Sequence, residues 1–243
     1  MTPKVYYKLL AQPTERKIMT TAPKVKLVTS KFSPYGHRVE MVLIEKNIPY
    51  EKQEIDLTNR PEWFVKDAPL GKVPLLYVGD KILFESVVIC EYLEEVFLEN
   101  PLHPKTALEK ASHRAWMEFS NGILSSGFGI INAQNQEQFD IKKAETIAKL
   151  EILNRHLKFS PYFDGGKFSL VDACFASAFK PLTFIDNKFA LELFDLHKNV
   201  ASYVENVVTR GSLHKVLPKN YDEIFKAFLE RKKSHLLTMS FSL

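Results

Sequence analysis

The sequence predicts an α/β domain followed by an all-helical domain. Three observations support this fold class. Residues 25–57 have the pattern of a strand, a helix and a strand, two short apolar runs flank Gly79 and Asp80, and no convincing strand pattern follows residue 105. A strand–helix–strand unit normally forms a parallel pair, and a two-residue Gly-containing turn between apolar runs is typical of a hairpin. Residues 100–105, which carry two prolines, are the predicted linker.

Length and composition exclude several classes of protein. The 243 residues are 45% hydrophobic and 26% charged, as in ordinary globular proteins. The 33 basic and 29 acidic residues are interspersed and leave a net charge of +4, so we expect no nucleic-acid partner. No apolar run approaches the ~18 residues that span a bilayer, so we expect no membrane association. Cys90 and Cys174 lie in apolar helical patterns, and buried free thiols would suit a reducing, cytoplasmic location.

The chain divides into three predicted segments: an extension at residues 1–23, the α/β domain at residues 24–99 and the helical domain at residues 105–243. The extension contains three prolines and no sustained period, which indicates a flexible tail. A targeting peptide is the alternative, because four basic residues accompany a single Glu15. An apolar core of the secretory type is absent from its sequence.

The α/β domain begins with a strand at residues 25–28. Ser33 followed by Pro34 is a helix-start signature, and it opens a predicted helix at residues 34–46 that ends before Pro49. A second strand at residues 50–57 and a short helix at residues 62–66 precede the hairpin. Ser86 is the predicted cap of a helix over residues 87–97.

The second domain contains five predicted helices, at residues 107–132, 141–157, 170–179, 196–208 and 222–233, and an apolar tail at residues 236–243. Asp172 follows Ser169 by three residues, which is a variant of the capping box. It opens a nearly all-apolar helix that we expect to be buried. We assign Asp172 to capping and to no chemistry.

Ser33 is the candidate catalytic residue. Its hydroxyl is expected where backbone N–H groups converge and the helix dipole is positive, so a thiolate placed there would be stabilised. The alternative is that Ser33 only caps the helix, and Ser30 is an alternative donor. His37 is expected to be an exposed helix residue. Histidine, cysteine and acidic residues form no cluster with metal-ligand spacing, so we predict no metal site.

Four segments resemble the glutathione transferase family: residues 33–41, 72–75, 84–86 and 168–172. They occur in the family's order and spacing, cover nearly all of residues 24–235, and are closest to the serine-type, tau-like and omega-like branches. The resemblance implies a thioredoxin-like domain followed by a helical domain, usually in a homodimer. It also implies glutathione as co-substrate and a role in detoxification.

The resemblance assigns site residues one by one. Ser33 matches the serine whose hydroxyl binds the glutathione sulfur. Val73 and Pro74 match the cis-proline motif, where the residue before proline pairs with the cysteinyl part of glutathione. The alternative for this motif is a feature of the fold that binds no ligand.

The remaining assignments concern the two ends of glutathione. Glu85 and Ser86 match the pair that binds the γ-glutamyl end, with the carboxylate on the ammonium group and the serine on the α-carboxylate. Lys72 and Arg60 match basic positions that face the glycyl carboxylate, and Arg60 lies in a variable loop. The alternatives are plain surface charges at Lys72 and Arg60 and a solvated residue at Glu85.

Departures from the family pattern reduce the number of reactions that we expect this chain to catalyse. Thiol-transferase members carry cysteine where this chain has Ser33, which disfavours glutaredoxin-like and dehydroascorbate-reductase chemistry. Tyr6 and Tyr7 lie too far upstream for a tyrosine-type site. The sequence therefore predicts a transferase that conjugates glutathione to an apolar electrophile or reduces a peroxide. Candidates for the electrophile pocket are drawn from the second domain: Trp116, Phe119, Ile123 and Phe128.

A non-enzymatic alternative remains. The stringent-starvation proteins resemble this scaffold and act by binding a protein partner, RNA polymerase. The complete set of Ser33, Lys72, Glu85 and Ser86 favours the transferase.

Overall fold

A computed structural model describes residues 23–158 and 160–239. Residues 1–22 of the predicted extension and residues 240–243 of the predicted tail lie outside the described residues. The N-terminal domain has seven elements: β1 Val25–Thr29, α1 Pro34–Glu45, β2 Tyr50–Glu54, α2 Glu62–Asp67, β3 Leu75–Val78, β4 Lys81–Phe84 and α3 Ser86–Val96.

The four strands form one sheet in the order β2-β1-β3-β4. Strands β1 and β2 are parallel, with Val25 opposite Tyr50, as the strand–helix–strand pattern predicts. Strand β3 is antiparallel to β1 and to β4. The predicted turn at Gly79 and Asp80 is confirmed, and Gly79 has a φ of 59°, which glycine adopts without strain.

The second domain is helical throughout its described residues. Its elements are α4 Ala107–Asn132, α5 Gln136–His156, α6 Leu170–Phe189, α7 Lys198–Val208, α8 Gly211–Val216, α9 Tyr221–Lys232 and a 3₁₀ turn at His235–Thr238. The fold class predicted from the sequence, an α/β domain followed by an all-helical domain, is therefore confirmed.

Element ends differ from the prediction where capping and packing outweigh the local pattern. Helix α5 begins at Gln136 rather than near residue 141, because the Asn135 side chain accepts a hydrogen bond from the Gln138 N–H and caps it. Helix α6 continues to Phe189 through Pro181, well beyond residue 179. Pro181 is itself buried among apolar neighbours, and this packing outweighs the missing backbone donor.

Helix α6 is the centre of the core, and its first turn is held by Asp172. The carboxylate accepts hydrogen bonds from the Ser169 N–H and hydroxyl, from the Phe163 N–H at 2.8 Å and from the Tyr203 hydroxyl at 2.7 Å. Burial raises the pKa of Asp172. The predicted capping role is confirmed, and all four hydrogen bonds serve the fold.

The two domains meet along α1, which packs against α3 on one side and α6 on the other. At the far end of α1, Glu45 receives two hydrogen bonds at 2.8 Å from the guanidinium of Arg210, which precedes α8. Tyr162 and Phe168 lie within cation–π distance of the same guanidinium. These contacts fix α1 in the domain interface, and α1 carries the candidate site at its other end.

Candidate functional site

Ser33 caps helix α1, and Pro34 is the first helical residue, as predicted. Ser33 is buried, and its Oγ accepts a hydrogen bond from the Gly36 N–H at 3.2 Å. The Ser33 hydroxyl hydrogen donates to no residue that the structure describes. Because capping uses only an oxygen lone pair, the hydroxyl can cap the helix and still donate a hydrogen bond to an anion.

The start of α1 lies tightly against the end of β1. A β-carbon at Gly36 would collide with the Thr29 hydroxyl oxygen, so glycine permits this close approach. His37 is buried, not exposed, and the prediction for this residue was wrong. Its Nε2 lies 3.1 Å from the Lys31 carbonyl oxygen, so the imidazole connects α1 to the segment that precedes Ser33.

Burial lowers the pKa of His37 to about 4, below its ordinary value of 6.5. The imidazole of His37 therefore binds a proton less readily in the folded protein than in the unfolded chain, so acidification favours unfolding. Between pH 6.5 and pH 4, we expect the imidazole to remove up to about 3 kcal/mol of stability, at 1.36 kcal/mol per pKa unit. In urea unfolding at pH 7 and pH 4.5, His37→Gln should lose less stability on acidification than the wild type. Equal losses would contradict this account.

A cavity of about 290 Å³ brings together five of the seven predicted site residues: Lys72, Val73, Pro74, Glu85 and Ser86. Tyr35 and Asn121 also line it. Ser33 and Arg60 are not among the residues that line this cavity. Ser33 lies two residues before Tyr35, at the start of the helix whose first turn contributes Tyr35 to the cavity.

The floor of the cavity contains the Val73–Pro74 peptide bond, which is cis, as the resemblance implied. Both residues are buried. The backbone N–H and C=O of Val73 form no hydrogen bond with any residue in the described ranges. They are therefore free to pair with an extended ligand backbone, in the manner of an added strand.

Glu85 has an unusual backbone conformation. Its φ is 69°, in the left-handed region that costs a non-glycine residue about 1–3 kcal/mol and that is common at functional sites. The side chain is exposed, and it makes no hydrogen bond with the described part of the chain. Glu85, rather than Ser86, is the N-cap of α3, so the predicted capping role of Ser86 was wrong.

Ser86 is buried as the first residue of α3, and its hydroxyl accepts a hydrogen bond from Arg38 Nη1 at 3.2 Å. The same Nη1 donates to Asn121 Oδ1 at 2.9 Å, and Arg38 Nε lies 3.4 Å from the Ser177 hydroxyl. Arg38 is fully buried, yet it pairs with no carboxylate within residues 23–158 and 160–239, and its Nη2 has no partner there. Buried arginines are nearly always paired with an anion, so Arg38 is an exception among the described residues.

Lys72 lines the cavity, whereas Arg60 lies outside its lining, beside Gly71. The Arg60 Nη1 is 3.0 Å from the position that a β-carbon on Gly71 would occupy, directly before Lys72 in the chain. Arg60 Nε donates to the Leu57 carbonyl at 3.1 Å. Both side chains are exposed. The cavity therefore has one of the two cations in its lining and the other outside it.

Sequence reasoning missed Arg38, Tyr35 and Asn121. The Arg38 guanidinium lies 5.6 Å from the centre of the Tyr35 ring, which covers it at the cavity wall. The sequence did contain a signal for Arg38, because a charged residue within the apolar pattern of a buried helix is unusual. Asn121 had none, because its position depends on how α4 packs beside α3.

The four predicted pocket residues of α4 do not share one surface. Ile123 is fully buried, and Trp116 packs on Phe119 and His156. Phe128 alone of the four lies beside α9, with its ring 6.1 Å from that of Phe228. Phe32, the residue before Ser33, packs instead on the aromatic rings of Tyr221, Phe225 and Phe228 in α9.

The described residues contain no group of three or more histidine, cysteine or acidic residues that could hold a metal ion. Cys90 and Cys174 are buried and unpaired, and burial raises the pKa of both thiols, which makes them poor nucleophiles. Within the described ranges, every helix is too short or too polar to cross a bilayer.

Comparisons with known proteins concern the sequence and the fold of this chain. The family model described as glutathione S-transferase, N-terminal domain, matches residues 32–96, and the model described as glutathione S-transferase, C-terminal domain, matches residues 136–206. The fold resembles the crystal structure of glutathione transferase Omega 3C from Trametes versicolor, with a TM-score of 0.73, 26% sequence identity and coverage of 87% of this chain and 93% of that one.

Two relatives show the extent of the sequence similarity. Glutathione S-transferase DHAR3, chloroplastic, from Arabidopsis thaliana is 31% identical over 198 residues, which are 79% of this chain and 71% of that protein. A pyrimidodiazepine synthase of Drosophila melanogaster is 32% identical over 154 residues, which are 61% of this chain and 60% of that protein. The match to the second relative therefore spans less than two thirds of its length.

Proposed function

Because the chain belongs to the glutathione S-transferase family, we propose that it binds glutathione and conjugates it, through its sulfur, to an apolar electrophile. The observation that carries this proposal is the buried, unpaired charge of Arg38 beside Ser86. A buried cation without an anion costs several kcal/mol. A ligand carboxylate at Ser86 would remove that cost.

The cavity offers a partner for each end of the tripeptide. The γ-glutamyl α-carboxylate would bind at Ser86, at the N-terminus of α3 and in front of Arg38, and Glu85 would bind the ammonium group. The free backbone groups of Val73 would pair with the cysteinyl residue. Lys72 and Arg60 would bind the glycyl carboxylate.

Ser33 would act on the sulfur. Free thiols titrate near pH ~8.5, so only a small fraction is ionised at neutral pH. A shift of about two pKa units requires about 2.7 kcal/mol. A hydrogen bond from the Ser33 hydroxyl, worth ~1.5–3 kcal/mol to a charged acceptor, together with the dipole of α1 could supply it.

The reaction then needs no other nucleophile. The thiolate attacks an electrophilic carbon, a C–S bond forms, and the leaving group departs with its bonding electrons. With a peroxide, the thiolate attacks an oxygen, the O–O bond breaks, and the products are a glutathione sulfenic acid and an alcohol or water. The thiol of a second glutathione then attacks that sulfur, which forms the disulfide and releases water. Because serine occupies position 33, no mixed disulfide with the protein can form there. The named relatives do not favour the alternative of a regulator that binds RNA polymerase.

We further propose a homodimer in the cytoplasm. Leu70, Phe84 and Val88 are about half exposed on the N-terminal domain, and such apolar side chains suit a subunit interface. The two buried, unpaired cysteines suit a reducing compartment. Sedimentation at micromolar concentration should give twice the mass of the chain, and a monomer would contradict the dimer.

Calorimetry with millimolar glutathione tests the proposed function. We expect measurable heat and a higher melting temperature with glutathione. The absence of both would remove the transferase proposal, and the chain would then be a scaffold with this fold.

A further inference from the structure

A second cavity, of about 550 Å³, adjoins the turn that leads into α1. Its walls are the segment 30–32, the residues 54–58 that follow β2, and one face of α9. The rings of Phe32 and Phe228 lie 5.2 Å apart, and Ile224 extends this apolar wall along α9. The volume is in the range of small-molecule sites.

The charges that line this cavity are balanced. Within the part of the chain that the structure describes, two basic and two acidic side chains line it: Lys31, Arg231, Glu54 and Asp56. Hydrogen bonds from Thr58 and the nearby guanidinium of Arg231 lower the pKa of Asp56. The lining therefore favours neither an anion nor a cation.

Ser30 is the polar residue of this lining that can still donate a hydrogen bond. It is only 9% exposed, and its hydroxyl forms no hydrogen bond with any residue of the described chain. The hydroxyl of Thr58, by contrast, already donates to Asp56 Oδ1 at 2.7 Å. Because buried polar groups normally have a hydrogen-bond partner, the Ser30 hydroxyl suits a ligand that carries an acceptor.

A tight turn holds Ser30 beside Ser33. The Ser33 N–H donates to the Ser30 carbonyl oxygen at 3.2 Å, and such a turn brings its first and last Cα atoms within about 7 Å of each other. Ser33 is the residue proposed to hold the glutathione sulfur. A ligand that reaches Ser30 in the second cavity is therefore expected close to that sulfur.

We propose that Ser30 determines acceptor specificity, because its hydroxyl donates a hydrogen bond to the carbonyl oxygen of an uncharged, conjugated enone. The apolar body of the enone lies on Phe32 and Phe228. A donor at the oxygen where negative charge develops lowers the barrier of the addition. This inference rests on the proposed function and adds the chemical class of the acceptor.

The addition needs neither an oxidant nor a leaving group. The thiolate attacks the β-carbon, the C–S bond forms, and the electrons of the carbon–carbon double bond move towards the carbonyl oxygen. The resulting enolate takes a proton from water at its α-carbon, which balances the proton that the thiol lost when it ionised. Ser30 only donates a hydrogen bond and transfers no proton.

Two uncharged acceptors test the role of Ser30. trans-4-Phenyl-3-buten-2-one is an enone, and 1-chloro-2,4-dinitrobenzene has no carbonyl group. Ser30→Ala should lower the ratio of their kcat/KM values, enone over aryl chloride, about tenfold, which corresponds to about 1.4 kcal/mol. Ser30→Thr keeps the hydroxyl and should keep the ratio. Equal losses for both acceptors would place the Ser30 hydroxyl on the sulfur and overturn the proposal.

Two further variants are controls within the same cavity. Thr58→Val removes a hydroxyl that lines the cavity but already donates to Asp56, so the ratio should not change. Lys31→Gln removes the exposed cation next to Ser30, and the ratio should again not change. If either variant lowers the ratio as much as Ser30→Ala does, Ser30 is not the donor and the proposal is overturned.

A spectrum recorded without glutathione separates this inference from the proposed function. A hydrogen bond to the carbonyl oxygen of a conjugated enone shifts its ultraviolet absorption to longer wavelength. Bound trans-4-phenyl-3-buten-2-one should show this shift in the wild type and in Ser30→Thr, and Ser30→Ala should remove it, even if neither acceptor is conjugated. An unshifted spectrum in the wild type would overturn the inference and leave the proposed function standing, since calorimetry with glutathione tests that function.

Discussion

Ser33→Ala is expected to lower conjugation by about tenfold to a hundredfold and to leave glutathione affinity nearly unchanged. The hydroxyl hydrogen is the proposed donor to the sulfur, and a hydrogen bond to a charged acceptor is worth about 1.5–3 kcal/mol. The peptide ends of glutathione would still bind at Ser86, Val73 and Lys72. The loss should therefore appear in kcat with 1-chloro-2,4-dinitrobenzene, and hardly in the affinity for glutathione by calorimetry.

The dependence of this loss on pH makes the test sharper. If Ser33 lowers the thiol pKa, the deficit of Ser33→Ala should be large at pH 6.5 and should shrink as the pH rises above ~8.5, where a free thiol is ionised. Removing the cap costs about 0.5–2 kcal/mol of stability in either case, so a change in melting temperature alone decides nothing. A deficit that is equal at all pH values would assign Ser33 to capping.

Two neighbouring variants are controls for the Ser33 prediction. Ser33→Thr keeps a hydroxyl that can cap and donate, and it should retain most of the activity. Ser30→Ala tests the alternative donor, since Ser30 is buried three residues before Ser33. If Ser30→Ala shifts the pH profile and Ser33→Ala does not, the assignment of the donor moves to Ser30.

Arg38→Met is expected to weaken glutathione binding about a hundredfold while leaving the unliganded protein as stable as the wild type or more stable. The guanidinium is fully buried and has no carboxylate partner among the described residues, so it costs free energy until a ligand anion arrives. Methionine has a similar length and carries no charge. The groups that Arg38 contacts at the cavity, Ser86 and Asn121, can then bind water.

Melting temperature and calorimetry, measured on the same samples, test this pair of effects. If Arg38→Met melts at a much lower temperature and still binds glutathione, Arg38 is a structural residue. That result would contradict the proposed anion site. Arg38→Lys keeps the charge without the planar fork, so its glutathione affinity should lie between those of the wild type and Arg38→Met.

Local signals predicted most of the fold. The Ser33–Pro34 start, the Gly79–Asp80 turn and the Asp172 capping box each depend on residues close together in sequence, and each is present in the structure. The errors arose where distant contacts decide. His37 is buried by packing around α1, and α6 continues through Pro181 because its surroundings are apolar.

The residues of the candidate site also divide into those that local sequence predicted and those that depend on distant contacts. Lys72, Val73, Pro74, Glu85 and Ser86 lie in one contiguous stretch of the N-terminal domain, and the structure brings them to one cavity. Asn121 joins that cavity from α4, and Arg38 reaches Ser86 and Asn121 from α1. Sequence spacing alone does not show which residues of different helices come into contact.

The central claim is that α1 and Ser33 hold the sulfur of glutathione as an anion. Its most direct test is an ultraviolet titration of the thiolate of protein-bound glutathione, with free glutathione as the reference. We expect the bound thiol to ionise about two pH units below the free thiol, and Ser33→Ala to restore most of the difference. A bound thiol that titrates like the free one would contradict the claim.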